Sequence, residues 1–85
     1  MDIEDLPTIV RKSAILSDSE KLMLATVDTL PDEDEIDQVR ALPEIRELLQ
    51  SFIGDEHTRN THLQLKASAY LQAQDLQMAW KVLLL

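Results

Sequence analysis

Near the carboxyl end, Leu76, Ala79, Trp80 and Leu83 recur at the spacing of one face of an α-helix. Met78, Val82 and Leu85 form a second stripe on the same stretch, and Leu84 lies between the two. A helix that is apolar around so much of its circumference must be covered from more than one side. The rest of the chain therefore either wraps this helix or leaves part of it for another protein. On the second alternative, Met78, Trp80, Val82, Leu84 and Leu85 are the expected partner-binding residues.

The preceding stretch carries a matching face. Leu63, Ala67 and Tyr70 follow a helical course, Ala69 and Ala73 form a neighbouring stripe of small side chains, and a joint falls near Gln74–Asp75. Ala67 and Ala79 let the two helices approach closely, and Tyr70 fills the space beside that contact. Leu63, Ala67, Tyr70, Leu76, Ala79 and Leu83 are thus the expected packing residues of a helix pair.

The order Ala67-Ser68-Ala69-Tyr70, then Asp75 and Ala79, resembles a tetratricopeptide repeat, a helix–turn–helix of about 34 residues. The resemblance covers residues 60–85, with Lys66 and Gln74 standing where the motif prefers Leu and Gly. A second copy one period upstream would fall in the acidic run at Pro31–Asp37 and is not there. The resemblance implies a helical hairpin that holds a partner. Because such repeats bury their faces by stacking, it also implies that this chain supplies only a fragment of such a surface or needs another chain to complete it.

Length and composition set the remaining limits. Eighty-five residues make one domain, 1–85, with material for a single core of Leu, Ile, Val and Ala, since aromatics are only 4%. One Gly and three Pro leave little for tight hairpins and favour helices. The expected fold is all-α: a compact bundle of five to six short helices whose carboxy-terminal pair is tetratricopeptide-like. With no Cys, disulfides and thiolate metal sites are excluded, and a cytoplasmic location is expected. No segment approaches the 18 consecutive apolar residues of a membrane span, so no membrane association is expected.

The net charge of −8 argues against direct nucleic-acid binding, which needs Lys and Arg to displace counterions from phosphates. The charge is uneven: residues 1–57 carry −10 and residues 58–85 carry +2. Its densest acidic surface is Asp32, Glu33, Asp34, Glu35 and Asp37. Acids here are accounted for by a helix start, where exposed N–H groups favour negative charge. Ser17-Asp18-Ser19-Glu20 reads as a capping box opening a helix that runs to about Leu30. Apolar neighbours at Leu22, Met23 and Leu24 suggest that this helix is well buried. Upstream, Asp5-Leu6-Pro7 starts a first helix, with Pro7 in its first turn. Downstream, Ile36, Val39 and Leu42 continue a face that Pro43 interrupts, and Glu44 favours a fresh start there. Ile45, Leu48, Leu49 and Phe52 give a core stripe closed by Gly54 as a left-handed cap. Residues 55–60 are expected to be a polar linker, with Thr58, Asn60 or Thr61 capping the helix that follows.

Catalytic chemistry finds no support. His57 and His62 are five apart, whereas two ligands on one helical face need a spacing of four, and no third ligand is obvious. The single Gly removes any Gly-rich phosphate loop, and no Ser has a nucleophile context. No catalytic residue, metal or cofactor is assigned. The leading expectation is a non-enzymatic interaction module, a small chaperone, adaptor or assembly subunit that grips a partner's amphipathic helix. The alternative is an acidic inhibitor or immunity-type protein, a nucleic-acid mimic that blocks a basic site with its acidic half. Self-association through the same apolar stripe is a third reading.

Overall fold

Local signals set most of the helix boundaries. A computed structural model describes residues 2–52 and 54–85. After a 3-10 turn at Ile3–Asp5 come α1 (Thr8–Arg11), α2 (Asp18–Ala25) and α3 (Glu33–Arg40). They are followed by α4 (Pro43–Ser51), α5 (Glu56–Gln72) and α6 (Leu76–Leu83). The fold is all-α, and no strand occurs among the described residues.

The capping box forms as its residues dictate. The Ser17 Oγ accepts from the Glu20 N–H at 3.1 Å, and Glu20 Oε1 accepts from the Ser17 N–H at 3.0 Å. Pro43 takes the first turn of α4, so the proline starts a helix and does not kink one. Asp32, Asp55 and Asp75 cap α3, α5 and α6, each accepting from the N–H three residues on. Gly54 has the left-handed φ of +87° expected of it, but it does not close the helix: α4 ends at Ser51 with Phe52 as its C-cap, two residues before Gly54.

Three further boundaries and the exposure of Leu22 differ from the sequence reading. Pro7 sits before the helix it was expected to open, as the N-cap of a single-turn α1. Secondly, α2 stops at Ala25, well short of Leu30. There the Thr26 hydroxyl donates to the Met23 carbonyl at 2.6 Å, and β-branched Thr26 and Val27 disfavour another turn. Leu22 points outward with 55% of its surface exposed, while Leu24 beneath it is fully buried. Lastly, residues 56–60 are helical: Asp55 captures both the N–H and the hydroxyl of Thr58, so the helix begins before the expected caps.

The core is built around α6. Ala79, Trp80, Val82 and Leu83 are all buried, and they pack with Leu24, Val39, Ile45, Leu63, Ala67 and Leu71 from the surrounding helices. Helix α5 lies antiparallel along one flank of α6, as the alanines at 67 and 79 allow, while α2 and α3 cover the other. Burying a side chain such as Leu24 or Leu63 stabilises the fold by about 1.5–3 kcal/mol relative to leaving it in water. The Trp80 indole N–H donates to the Leu24 carbonyl at 3.1 Å. The same carbonyl accepts the Val27 N–H at 3.2 Å, so the indole adds a second donor at the end of α2.

The α5–α6 joint closes as a Schellman turn. The Asp75 N–H bonds to the Tyr70 carbonyl at 2.8 Å, and the Gln74 N–H to the Leu71 carbonyl at 3.0 Å. Such a turn needs a left-handed residue after the helix, and Gln74 supplies it with a φ of 63°. The Gly preferred at this position in the tetratricopeptide motif would adopt that angle without strain.

Polar contacts fasten the amino-terminal segment to α5. The buried Ser13 hydroxyl donates to Gln64 Oε1 at 2.6 Å while accepting from the N–H groups of Ile15 and Leu16. The Ser68 hydroxyl donates to Glu20 Oε2. Partial burial pushes the Glu20 carboxyl pKa upward, but the bonds from the Ser17 N–H and the Ser68 hydroxyl outweigh it, and the net shift is downward.

Candidate functional site

The two sets of residues singled out as surfaces, the apolar tail and the acidic run, meet where α3 lies against α6. Helix α3 turns Ile36 and Val39 inward and leaves Glu33, Asp34 and Asp37 on its outer face. By the helical period Glu33, Ile36, Asp37 and Arg40 fall along one side of α3, while Val39 is turned further toward the core. Leu84, the C-cap residue of α6, lies against that helix. Ile36 and Leu84 form the apolar part of an open hollow of about 430 Å³, with Glu33, Asp37 and Arg40 as its charged rim.

Not every rim charge is free. Asp37 and Arg40 pair at 2.6 Å with both side chains about half exposed or more. Glu35, on the other edge of α3, reaches Lys81 of α6 at 3.7 Å and ties the two helices together. Exposed pairs of this kind contribute about 0–1 kcal/mol. Asp32 has its Oδ1 on the Glu35 N–H as the cap of α3. Glu33 and Asp34 take part in no ion pair among the described residues.

The expected partner-binding stripe needs correction. Trp80 and Val82 have no exposed surface, because α2, α3 and α5 close over both flanks of α6. The sequence shows how wide the apolar surface of α6 is, but not how much of it the amino-terminal half covers. Met78, Leu84 and Leu85 remain half-buried at the edge of the core. Of the expected contact residues, Leu84 alone lines the hollow beside α3.

The residues expected to pack the helix pair lie inside it. Leu63, Ala67, Ala79 and Leu83 are buried, and Leu76 and Tyr70 are half-buried against the same cluster. Tyr70 also does something its spacing did not suggest. Its hydroxyl donates to Glu44 Oε1 at 3.0 Å, and Lys66 bonds the other oxygen of Glu44 at 3.2 Å while lying 5.4 Å above the Tyr70 ring. The Tyr70 hydroxyl, then Lys66, hold the Glu44 carboxyl below its usual range. Partial burial, then the Glu44 charge, push the phenol up. Lys66, which departs from the tetratricopeptide pattern, thus belongs to a surface link between α4 and α5. His62 stacks on Phe52 at a centroid distance of 4.5 Å, which gives that imidazole a packing role.

Sequence reasoning missed Ile36 as part of a surface site and Ser13 as a buried polar junction. A signal existed for Ile36: it is the apolar residue framed by the acids of α3. Ser13 had none, since its partner Gln64 is 51 positions away.

Comparison with protein-family models, with curated proteins and with solved structures finds no match for this chain. No helix among the described residues is long and apolar enough to cross a membrane.

Proposed function

We propose that this chain is a non-enzymatic protein–protein interaction module, a small cytoplasmic chaperone, adaptor or assembly subunit that seats an amphipathic helix of another protein. The supporting observation is the meeting of Leu84 and Ile36 with Glu33 and Asp37 in one hollow. An apolar floor beside a carboxylate rim suits a helix with an apolar anchor flanked by Lys or Arg. The anchor supplies affinity by burial, and the flanking charges supply steering and register. This reading keeps Leu84 from the expected contact set and moves the rest of the contact onto α3.

Affinity capture from a lysate of the native host, at low and high salt, tests it. Leu84→Asp should abolish capture, and Glu33→Lys combined with Asp37→Lys should weaken it and remove its salt dependence. Thermal unfolding checks that each variant stays folded, and a sedimentation concentration series separates a partner from a second copy. Capture that is indifferent to both sets of substitutions refutes the proposal.

One observation favours a second reading. The outward carboxylates Glu33 and Asp34 form no ion pair among the described residues, as an acidic inhibitor of a basic site would require. Binding of that kind would collapse at high salt and ignore Leu84→Asp.

A further inference from the structure

Helix α5 carries a stripe, His57, Asn60, Thr61 and Gln64, that faces α1 and the segment after it. Where that stripe continues, the contact is closed, with Gln64 bonded to Ser13 and Ser68 bonded to Glu20. Toward the start of α5 the two elements part and leave a cleft of about 720 Å³. Ile9 and Ile15 give the cleft apolar walls, while Lys12, Asn60 and His57 bring it an ammonium, an amide and an imidazole. No carboxylate lines it, although the chain as a whole carries −8. Lys12 and His57 are exposed at its mouth and Asn60 is half-buried, and none of these side chains has a hydrogen-bond partner among the described residues. A contact evolved only for packing would continue the stripe with apolar residues, as α5 does at Leu63, Ala67 and Leu71.

We propose that this cleft is a binding site for a small carboxylate with a short aliphatic body. The Lys12 ammonium would meet the carboxylate, Asn60 would donate its amide N–H to the same group, and Ile9 and Ile15 would cover the aliphatic chain. The volume lies in the range of small-molecule sites, and an apolar lining with a few convergent polar groups is their usual makeup. The site is separate from the hollow between α3 and α6 and does not depend on it.

The test is a titration of the isotope-labelled full chain with hexanoate, followed by amide chemical shifts. As expected of so small a ligand, hexanoate should bind with a Kd of about 1 mM, and its saturable shifts should cluster at residues 8–15 and 57–64. Hexanamide, of the same shape without the charge, should bind about fivefold more weakly, and Lys12→Met should weaken hexanoate by a similar factor. Lys66→Met, which removes a distant charge, should leave hexanoate binding unchanged. The proposal is overturned by any of three results: shifts that do not saturate, hexanamide binding as tightly as hexanoate, or equal effects of Lys12→Met and Lys66→Met.

Discussion

Replacing Gln74 with Gly should make this protein more stable, although the substitution adds no contact. Gln74 closes the α5–α6 turn at a φ of 63°, and its side chain is exposed, so little packing is lost with it. A residue with a Cβ in the left-handed region costs roughly 1–2 kcal/mol. Glycine removes that strain, but its freer unfolded chain returns about 0.5–1 kcal/mol of the gain. The net expectation is a stabilisation of about 0.5–1 kcal/mol. In a domain of this size that raises the Tm by about 2–8 °C. The two Schellman bonds at Tyr70 and Leu71 are between backbone atoms and survive the change. Urea and thermal unfolding, followed by far-UV circular dichroism, measure the difference, with Gln74→Ala as the control. Alanine keeps the Cβ, and with it the strain, so it should stay near the parent. If Gln74→Gly proves no more stable than Gln74→Ala, the strain argument is wrong.

Three further outcomes follow from the packing. Leu22→Glu should change stability by no more than about 0.5 kcal/mol, whereas Leu24→Ala should cost about 2–5 kcal/mol in urea unfolding, because the first side chain is in water and the second is fully enclosed. Trp80→Phe should cost about 1–3 kcal/mol by circular dichroism, chiefly because it leaves unfilled space in the core and also because the indole bond to Leu24 is lost, although that carbonyl keeps the Val27 N–H. The Glu20 carboxyl is held below its ordinary value in the folded state, so the unfolded chain takes up the proton first. Its contribution is complete above the ordinary glutamate pKa of about 4.3 and is lost as pH falls through the lower folded value. Urea midpoints taken down through that acidic range should fall less steeply for Glu20→Gln than for the parent. Equal slopes would contradict that account.

Much of this arrangement is legible from local chemistry. The Ser17–Glu20 box, the proline start of α4 and the helix pair around Ala67 and Ala79 each depend on residues a few positions apart, and spacing alone displays them. What spacing does not display is coverage. Val82 and Trp80 are enclosed because α2 and α3 fold back over α6, and that depends on contacts such as Trp80 with Leu24, 56 positions apart. The same limit explains Leu22: a run of three apolar residues marks a helix but does not say which of the three faces water. The early start of α5 was obscured for another reason. Several adjacent polar residues, Asp55, Thr58, Asn60 and Thr61, are all competent caps, and only the doubly bonded Asp55 prevails. At the seam of α3 and α6, the acids and Leu84 were visible separately, while their adjacency is a product of the tertiary fold.

The bond between the Trp80 indole and the end of α2 also makes the molecule its own sensor. The chain has one tryptophan, seated without solvent contact at the centre of the bundle. Its fluorescence should be blue-shifted at rest and move to longer wavelength only when α6 leaves its seat. A ligand that merely occupies an outer hollow would leave the emission still, whereas a partner that pries the bundle apart would redden it, so one cuvette distinguishes docking from remodelling.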